Sequence, residues 1–236
     1  MRLRRARLIA VASAVAAAGV CALRVTDVFA APCADGSTCP PATLTVGASA
    51  SLLATVSGSV TAPGSFTASY RESVFSDPTN EFCNGCLDWV LQVSNSSRSS
   101  DTLQRLNISN FAGFIVDIGV NSNGASGFPS PGTAPPTSVA RNTTGKVVTW
   151  NFEGGGEVQP GKTTVRLEAE TNALTYQPGL ISFQDGGATQ AAGFAPAAPK
   201  QGIPDVPWVA SFGGIAGAAA AGTAWLMSRR RRPSLQ

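Results

Sequence analysis

Leu87-Asp88-Trp89-Val90-Leu91-Gln92-Val93 places Leu87, Trp89, Leu91 and Val93 on one side of an extended chain, because successive side chains of a strand point to opposite faces. Four large apolar groups on one face predict a strand at the centre of a core. Working outward, Leu44-Thr45-Val46, Leu52 to Val56 and Phe66 to Phe75 are rich in β-branched and aromatic residues, with glycines and prolines punctuating them every ten or so residues. On the other side, Phe114 to Val120, Lys146 to Phe152, Thr163 to Thr171 and Gly179 to Phe183 repeat the pattern. Val148, Trp150 and Phe152 share a face, as do Val165, Leu167 and Ala169. In 101–108 the alternation predicts Thr102, Gln104, Leu106 and Ile108 inward.

Between these strands, 121–136 is largely Asn, Gly, Ser and Pro, too polar to pack and too rich in breakers for a helix, and reads as a long exposed loop. No stretch of the body shows a helical period. About eight to ten short strands joined by turns predict an all-β fold, an antiparallel β-sandwich spanning 44–190. Two terminal segments add a signal helix and a transmembrane helix.

The chain begins with Arg2, Arg4, Arg5 and Arg7, continues with apolar Leu8 to Leu23 and reaches Val28-Phe29-Ala30. Basic, apolar and small-residue regions in that order predict a signal peptide over 1–30, removed by signal peptidase after Ala30. At the other end, 208–228 is uncharged and about 30 Å long as a helix, enough to cross a bilayer core. Arg229, Arg230, Arg231 and Arg232 follow it, which predicts a cytoplasmic basic tail over 229–236 and an outward-facing body. Residues 31–43 form a polar lead with two cysteines, and 191–207 an Ala/Pro-rich linker.

The net charge of +3 arises from the two ends. Residues 31–207 carry eight Lys/Arg against thirteen Asp/Glu, or −5, which argues against a nucleic-acid partner. Cys21 leaves with the signal peptide, so Cys33, Cys39, Cys83 and Cys86 remain. In an oxidising compartment these read most simply as two local disulfides, Cys33 to Cys39 and Cys83 to Cys86, although four cysteines allow three pairings.

The tail as a whole, Ile203-Pro204-Asp205-Val206-Pro207, then an apolar helix, then the arginine cluster, resembles the PEP-CTERM type of bacterial sorting signal. Pro204, Asp205, Val206 and Pro207 stand where Pro-Glu-Pro is usual. The body is similar to secreted β-sandwich proteins of that kind in Ser69 to Phe75, Leu87 to Asn95, Val148 to Phe152, Pro160-Gly161-Lys162-Thr163-Thr164, Thr171-Asn172-Ala173 and Asp185-Gly186-Gly187. The resemblance implies an exosortase-like enzyme acting on the tail, a cell-surface or extracellular destination, and no catalytic residues. An extracellular polysaccharide is a natural partner for such a protein.

The chain contains no histidine, so a Ser-His-Asp or Cys-His site is excluded. Glu153 with Glu157 and Glu168 with Glu170 are the nearby carboxylate pairs. Glu168 and Glu170 lie on the strand face opposite Leu167 and Ala169, which reads as a solvated surface. Asp77, Asn80 and Glu81 fall in one loop and Asn121 and Asn123 in another, but neither has the spacing of a recognised calcium loop, and turn chemistry accounts for both. No catalytic, cofactor or metal residues are therefore assigned. The expected function is a non-enzymatic exported surface or matrix protein. The alternative is an adhesin or carbohydrate-binding module on a plain single-span anchor, using the 121–136 loop or exposed aromatics such as Tyr70 and Tyr176.

Overall fold

The computed structural model describes residues 32–128 and 131–198. The expected signal peptide with Ala30, the residues Pro204 to Pro207, the membrane helix and the arginine cluster lie outside the described residues. Within them there is no helix. Twelve strands run in chain order as β1 (Thr38–Cys39), β2 (Ala42–Leu44), β3 (Ser51–Ala62), β4 (Phe66–Asp77), β5 (Cys86–Asn95), β6 (Arg105–Ser109), β7 (Val116–Asn121), β8 (Ser138–Arg141), β9 (Val147–Asn151), β10 (Leu167–Thr171), β11 (Tyr176–Asp185) and β12 (Gly187–Pro196).

They form two six-stranded sheets, β1-β8-β9-β6-β11-β12 and β2-β7-β10-β5-β4-β3, called here the β9 sheet and the β5 sheet. The expected sandwich-like, all-β class is present, with more strands than the eight to ten counted from sequence. The surplus is β1, which lies in the polar lead and is too brief to show an alternation of its own, and β12, most of which falls in the stretch read as a linker; β2 meets the expected Leu44 strand only at its last residue. β2 pairs with β7 in parallel, so the β5 sheet is mixed. β12 runs to Pro196, so the first six residues of the stretch read as a linker are paired with β11.

One apolar core lies between the sheets. Leu87, Trp89, Leu91 and Val93 are all fully buried, as the opening strand requires, and meet Leu106, Ile108, Val148, Trp150, Ile181 and Phe183 from the β9 sheet. Trp89 meets Phe111 edge-on, with ring centroids 5.6 Å apart. Removing a side chain of this size from such a core costs about 3–5 kcal/mol. Leu103 is also buried, contrary to the alternation expected for 101–108, because the chain enters β6 only at Arg105 and Leu103 bridges to Val158 instead.

Polar groups tie the sheets together inside this core. Trp150 Nε1 donates to Gly119 O at 2.9 Å, from the β9 sheet to the β5 sheet. Tyr70 Oη donates to Ala192 O at 2.9 Å, and Phe194 N donates to Glu72 Oε2 at 2.7 Å, docking β12 onto β4. Gly193 makes that approach feasible, since a Cβ there would lie 2.6 Å from Glu72 Oε2 and from Ile181. Tyr70 is thus a buried strut, where sequence made it an exposed aromatic. Tyr176 is partly exposed and packs edge-on against Phe194.

Both cysteine pairs stand at bonding distance, with Cα–Cα of 6.1 Å for Cys33 and Cys39 and 5.3 Å for Cys83 and Cys86, inside the usual range for disulfides.

Candidate functional site

Each sheet has an outer face, and the two faces differ in kind. On the β9 sheet the outward positions of β6, β9 and β11 are mostly polar, Asn107, Thr149, Asn151, Ser182 and Gln184, with Arg105 at one side and Val147 and Leu180 among them. They line an open groove of about 640 Å³. Thr149 Oγ1 donates to Asn107 Oδ1 at 2.7 Å, and Arg105 reaches both Asn151 and Glu153. Glu157, the other carboxylate flanking the glycine turn, accepts N–H bonds from Gly154 and Gly155. Glu153 and Glu157 are thus each held by their own local partners.

The outer face of the β5 sheet is closed over its central strands, while along β3 it stays exposed. Segments 45–50, 78–85 and 121–128 lie over the central strands, and Val46, Ala125 and Phe128 pack on Phe75 and Val90 as a second apolar cluster. The 121–136 stretch, expected to be a long exposed loop, is therefore partly a lid. Its apolar residues are few, but Ala125 and Phe128 are placed to cover the strands, and Arg71 lies 5.7 Å from the Phe128 ring centroid.

Under that lid sit five carboxyl groups. Register places Asp117, Glu170 and Asp88 directly opposite one another on β7, β10 and β5, so their Cβ atoms are about 5 Å apart, an arrangement that is destabilising when all are charged. Glu168 stands one position along the same face of β10, and Asp77 ends β4. Asp77, Asp88 and Glu168 are fully buried, Asp117 and Glu170 nearly so. Glu168 and Glu170 were expected on a solvated surface. Alternation assigned them to the correct face, but the loops bury that face.

Each group has a defined set of donors. Asp77 accepts from Gly47 N and from the backbone N and hydroxyl of Thr79. Asn80 Nδ2 donates to Asp88 Oδ1 at 2.7 Å, Glu81 N to Glu170 Oε1 at 2.6 Å, and Asn121 Nδ2 to Glu168 Oε2 at 2.9 Å. Ile118 N donates to Asp117. The two sequence-distant loops noted for Asp77, Asn80 and Glu81 and for Asn121 and Asn123 thus meet around one buried acidic patch. What joins them is Asp88, Asp117, Glu168 and Glu170, whose involvement only the register and lid disclose.

No Lys or Arg forms an ion pair with these carboxyls among the described residues, where Arg105–Glu153 and Arg141–Asp35 are the pairs present. Burial, reinforced by the neighbouring acids, pushes Asp88 up to about 10; burial likewise raises Glu168 to about 8, Glu170 to about 7 and Asp117 to about 6, the donated hydrogen bonds working against it. Asp77 is also desolvated, yet the bonds from Gly47 and Thr79 hold it below the usual range. Asp88, held protonated, also bonds side chain to side chain with Asp77, while Glu168 Oε1 has no hydrogen-bond partner among the described residues. As the side chains stand, no three His, Cys, Asp or Glu residues there form a ready metal-holding group.

Searches against protein-family models, curated proteins and solved structures find no match to this chain.

Proposed function

We propose that this chain is an exported, non-enzymatic protein of the cell surface or extracellular matrix, delivered by its signal peptide and sorted or anchored by its PEP-CTERM-like tail. The observation that carries this reading is the pairing of Cys33 with Cys39 and Cys83 with Cys86 at bonding distance in a β-sandwich framed by those two terminal segments. Disulfides persist in oxidising compartments, so the cysteine geometry and the export signals support one another. The isolated local partners of Glu153 and Glu157 give no acid and base facing a common substrate.

The test is intact mass and fractionation of the protein from cells with and without a candidate exosortase. Loss of the residues beyond about Pro207, dependent on that enzyme, is the expected result. A tail kept in both strains makes 208–228 a plain membrane anchor. Retention of the whole chain in the cytoplasm with four free thiols overturns the reading.

A second reading is favoured by the open groove of the β9 sheet. Its Asn, Thr, Ser and Gln side chains offer paired donors and acceptors at strand spacing, the chemistry that meets sugar hydroxyls, and it suits binding of an extracellular polysaccharide. A glycan array distinguishes this from a purely structural protein. Saturable binding lost in Asn107→Ala/Thr149→Ala supports it, and the absence of binding across the array contradicts it.

A further inference from the structure

Given the reading of 208–228 as a membrane span, on which the proposal rests, we infer that one end of the sandwich lies against the outer lipid surface. Exposed Ile115, Leu174, Leu53 and Tyr176 form the contact, entering the boundary between headgroups and acyl chains. The two ends of the sandwich are unequal in a way that selects this one. At the apolar end, loops 110–115 and 172–175 carry the chain from β6 to β7 and from β10 to β11, crossing between the sheets, and β3 begins beside them. Their side chains are neighbours: Ile115 N donates to Asn172 Oδ1 at 3.0 Å, Leu174 follows two residues later, and Tyr176 Oη donates to Leu53 O at 3.4 Å. Leu174 is 63 % exposed, Ile115 48 % and Leu53 44 %. Exposed apolar side chains gathered in this way mark a contact with another protein or a membrane. Among the described residues the exposed charges at this end are Asp35, paired with buried Arg141, and Lys146, with Glu81 half-buried. The opposite end, built from 63–65, 96–104 and 152–165, exposes Arg98, Asp101, Glu153 and Lys162.

The membrane is the occupant because the chain leaves for its tail from inside the patch. Ala197 N donates to Thr175 O at 2.9 Å, and Thr175 Oγ1 donates to Ala197 O at 3.1 Å. Residue 197 is therefore pinned beside Thr175, which stands between Leu174 and Tyr176. Nine residues, 199–207, separate the described chain from Trp208, and they span at most about 30 Å when extended. A tether that short, starting within the patch, holds this end beside the bilayer and turns the charged end toward water. Leu and Ile side chains gain by burial at the acyl boundary, and Tyr suits the interface because its ring is apolar and its hydroxyl polar.

The test is photolabelling of the full-length chain in phosphatidylcholine vesicles containing a phosphatidylcholine with a diazirine near the top of its acyl chain, the adducts being located by peptide mass mapping. The expected result is labelling of 110–115 and 172–176 in addition to 208–228, with 96–104 and 152–165 unlabelled. Leu174→Asp/Ile115→Asp, which alters exposed side chains only, lowers labelling of both loops by at least about fivefold while that of 208–228 persists. Labelling of 208–228 with both loops unlabelled overturns the inference and leaves the tail reading standing; a particle of twice the chain mass in that case assigns the patch to a second copy. Equal labelling of the two ends, or loop labelling unchanged in the double variant, also overturns it. A chain recovered free of the vesicles, with 208–228 unlabelled, removes the tail reading and the inference with it.

Discussion

The outer faces of the two sheets are built from the same strand alternation yet behave as opposites. Outward residues of the β9 sheet, Asn107, Thr149 and Ser182, border an open groove. Outward residues of the β5 sheet, Asp88, Glu168 and Glu170, are as buried as the core. The difference is made by loops. Segments 45–50, 78–85 and 121–128 all emerge from strands of the β5 sheet and fold back over it, bringing Val46, Ala125 and Phe128 onto Phe75 and Val90. A polar residue on an outward face is therefore a solvated surface in the β9 sheet and a desolvated, interacting group on the covered strands β5, β7 and β10 of the other.

The largest expected effect that sharpens this contrast is Phe75→Ala. Its side chain points away from the inter-sheet core but is 1 % exposed, so the loss should be about 3–5 kcal/mol by urea unfolding, like that of a core aromatic. A loss below about 1 kcal/mol breaks the comparison.

Next comes Asn121→Ala. Asn121 Oδ1 accepts from Gly124 N and Ala125 N, while Nδ2 donates to Glu168 and Asn123. Removing it leaves a buried carboxylate without its donor and unpins the lid, for about 1–3 kcal/mol. Faster amide exchange of 121–128 should accompany the loss, while β9 is unchanged.

A smaller effect concerns Glu72, which lies in the inter-sheet core rather than under the lid. Burial pushes it up to about 8, against the hydrogen bond from Phe194 N. A carboxyl raised above its unfolded value contributes stability that is complete below the unfolded pKa and is lost as pH rises through the folded one. Glu72→Gln should therefore flatten the decline in stability between about pH 6 and about pH 9 without abolishing it. An unaltered slope in that variant would remove Glu72 from the account.

The smallest effect belongs to the open face. Leu180→Ala, at 48 % exposure on the outward side of β11, should change stability by no more than about 0.5 kcal/mol.

Much of the fold was legible because local chemistry decides it. Trp89, Trp150, Leu167 and Ala169 declare the inward faces of their strands, and close cysteine spacing brings each pair together. The site was not legible for a reason equally physical. Alternation tells which side of a sheet Glu168 occupies, not whether a loop about 45 residues earlier in the chain will cover that side. Asp117, Glu170 and Asp88 become a row only through the register of β7, β10 and β5, a long-range property with no local signature. Tyr70 was misplaced for the same reason, since its partner Ala192 lies on the opposite sheet.

The most direct measurement of the central claim, that carboxyl groups are sealed behind the lid and within the core without basic partners, is the urea midpoint of the full-length chain in EDTA at about pH 5.5 and about pH 9. Glu170, Glu168 and Glu72 are raised to about 7, 8 and 8, so their contribution is present at the lower pH and lost as pH climbs through those values. The account requires a clearly lower midpoint at pH 9. A midpoint that is unchanged, or higher at pH 9, would mean that these carboxylates are solvated or paired, and would contradict it.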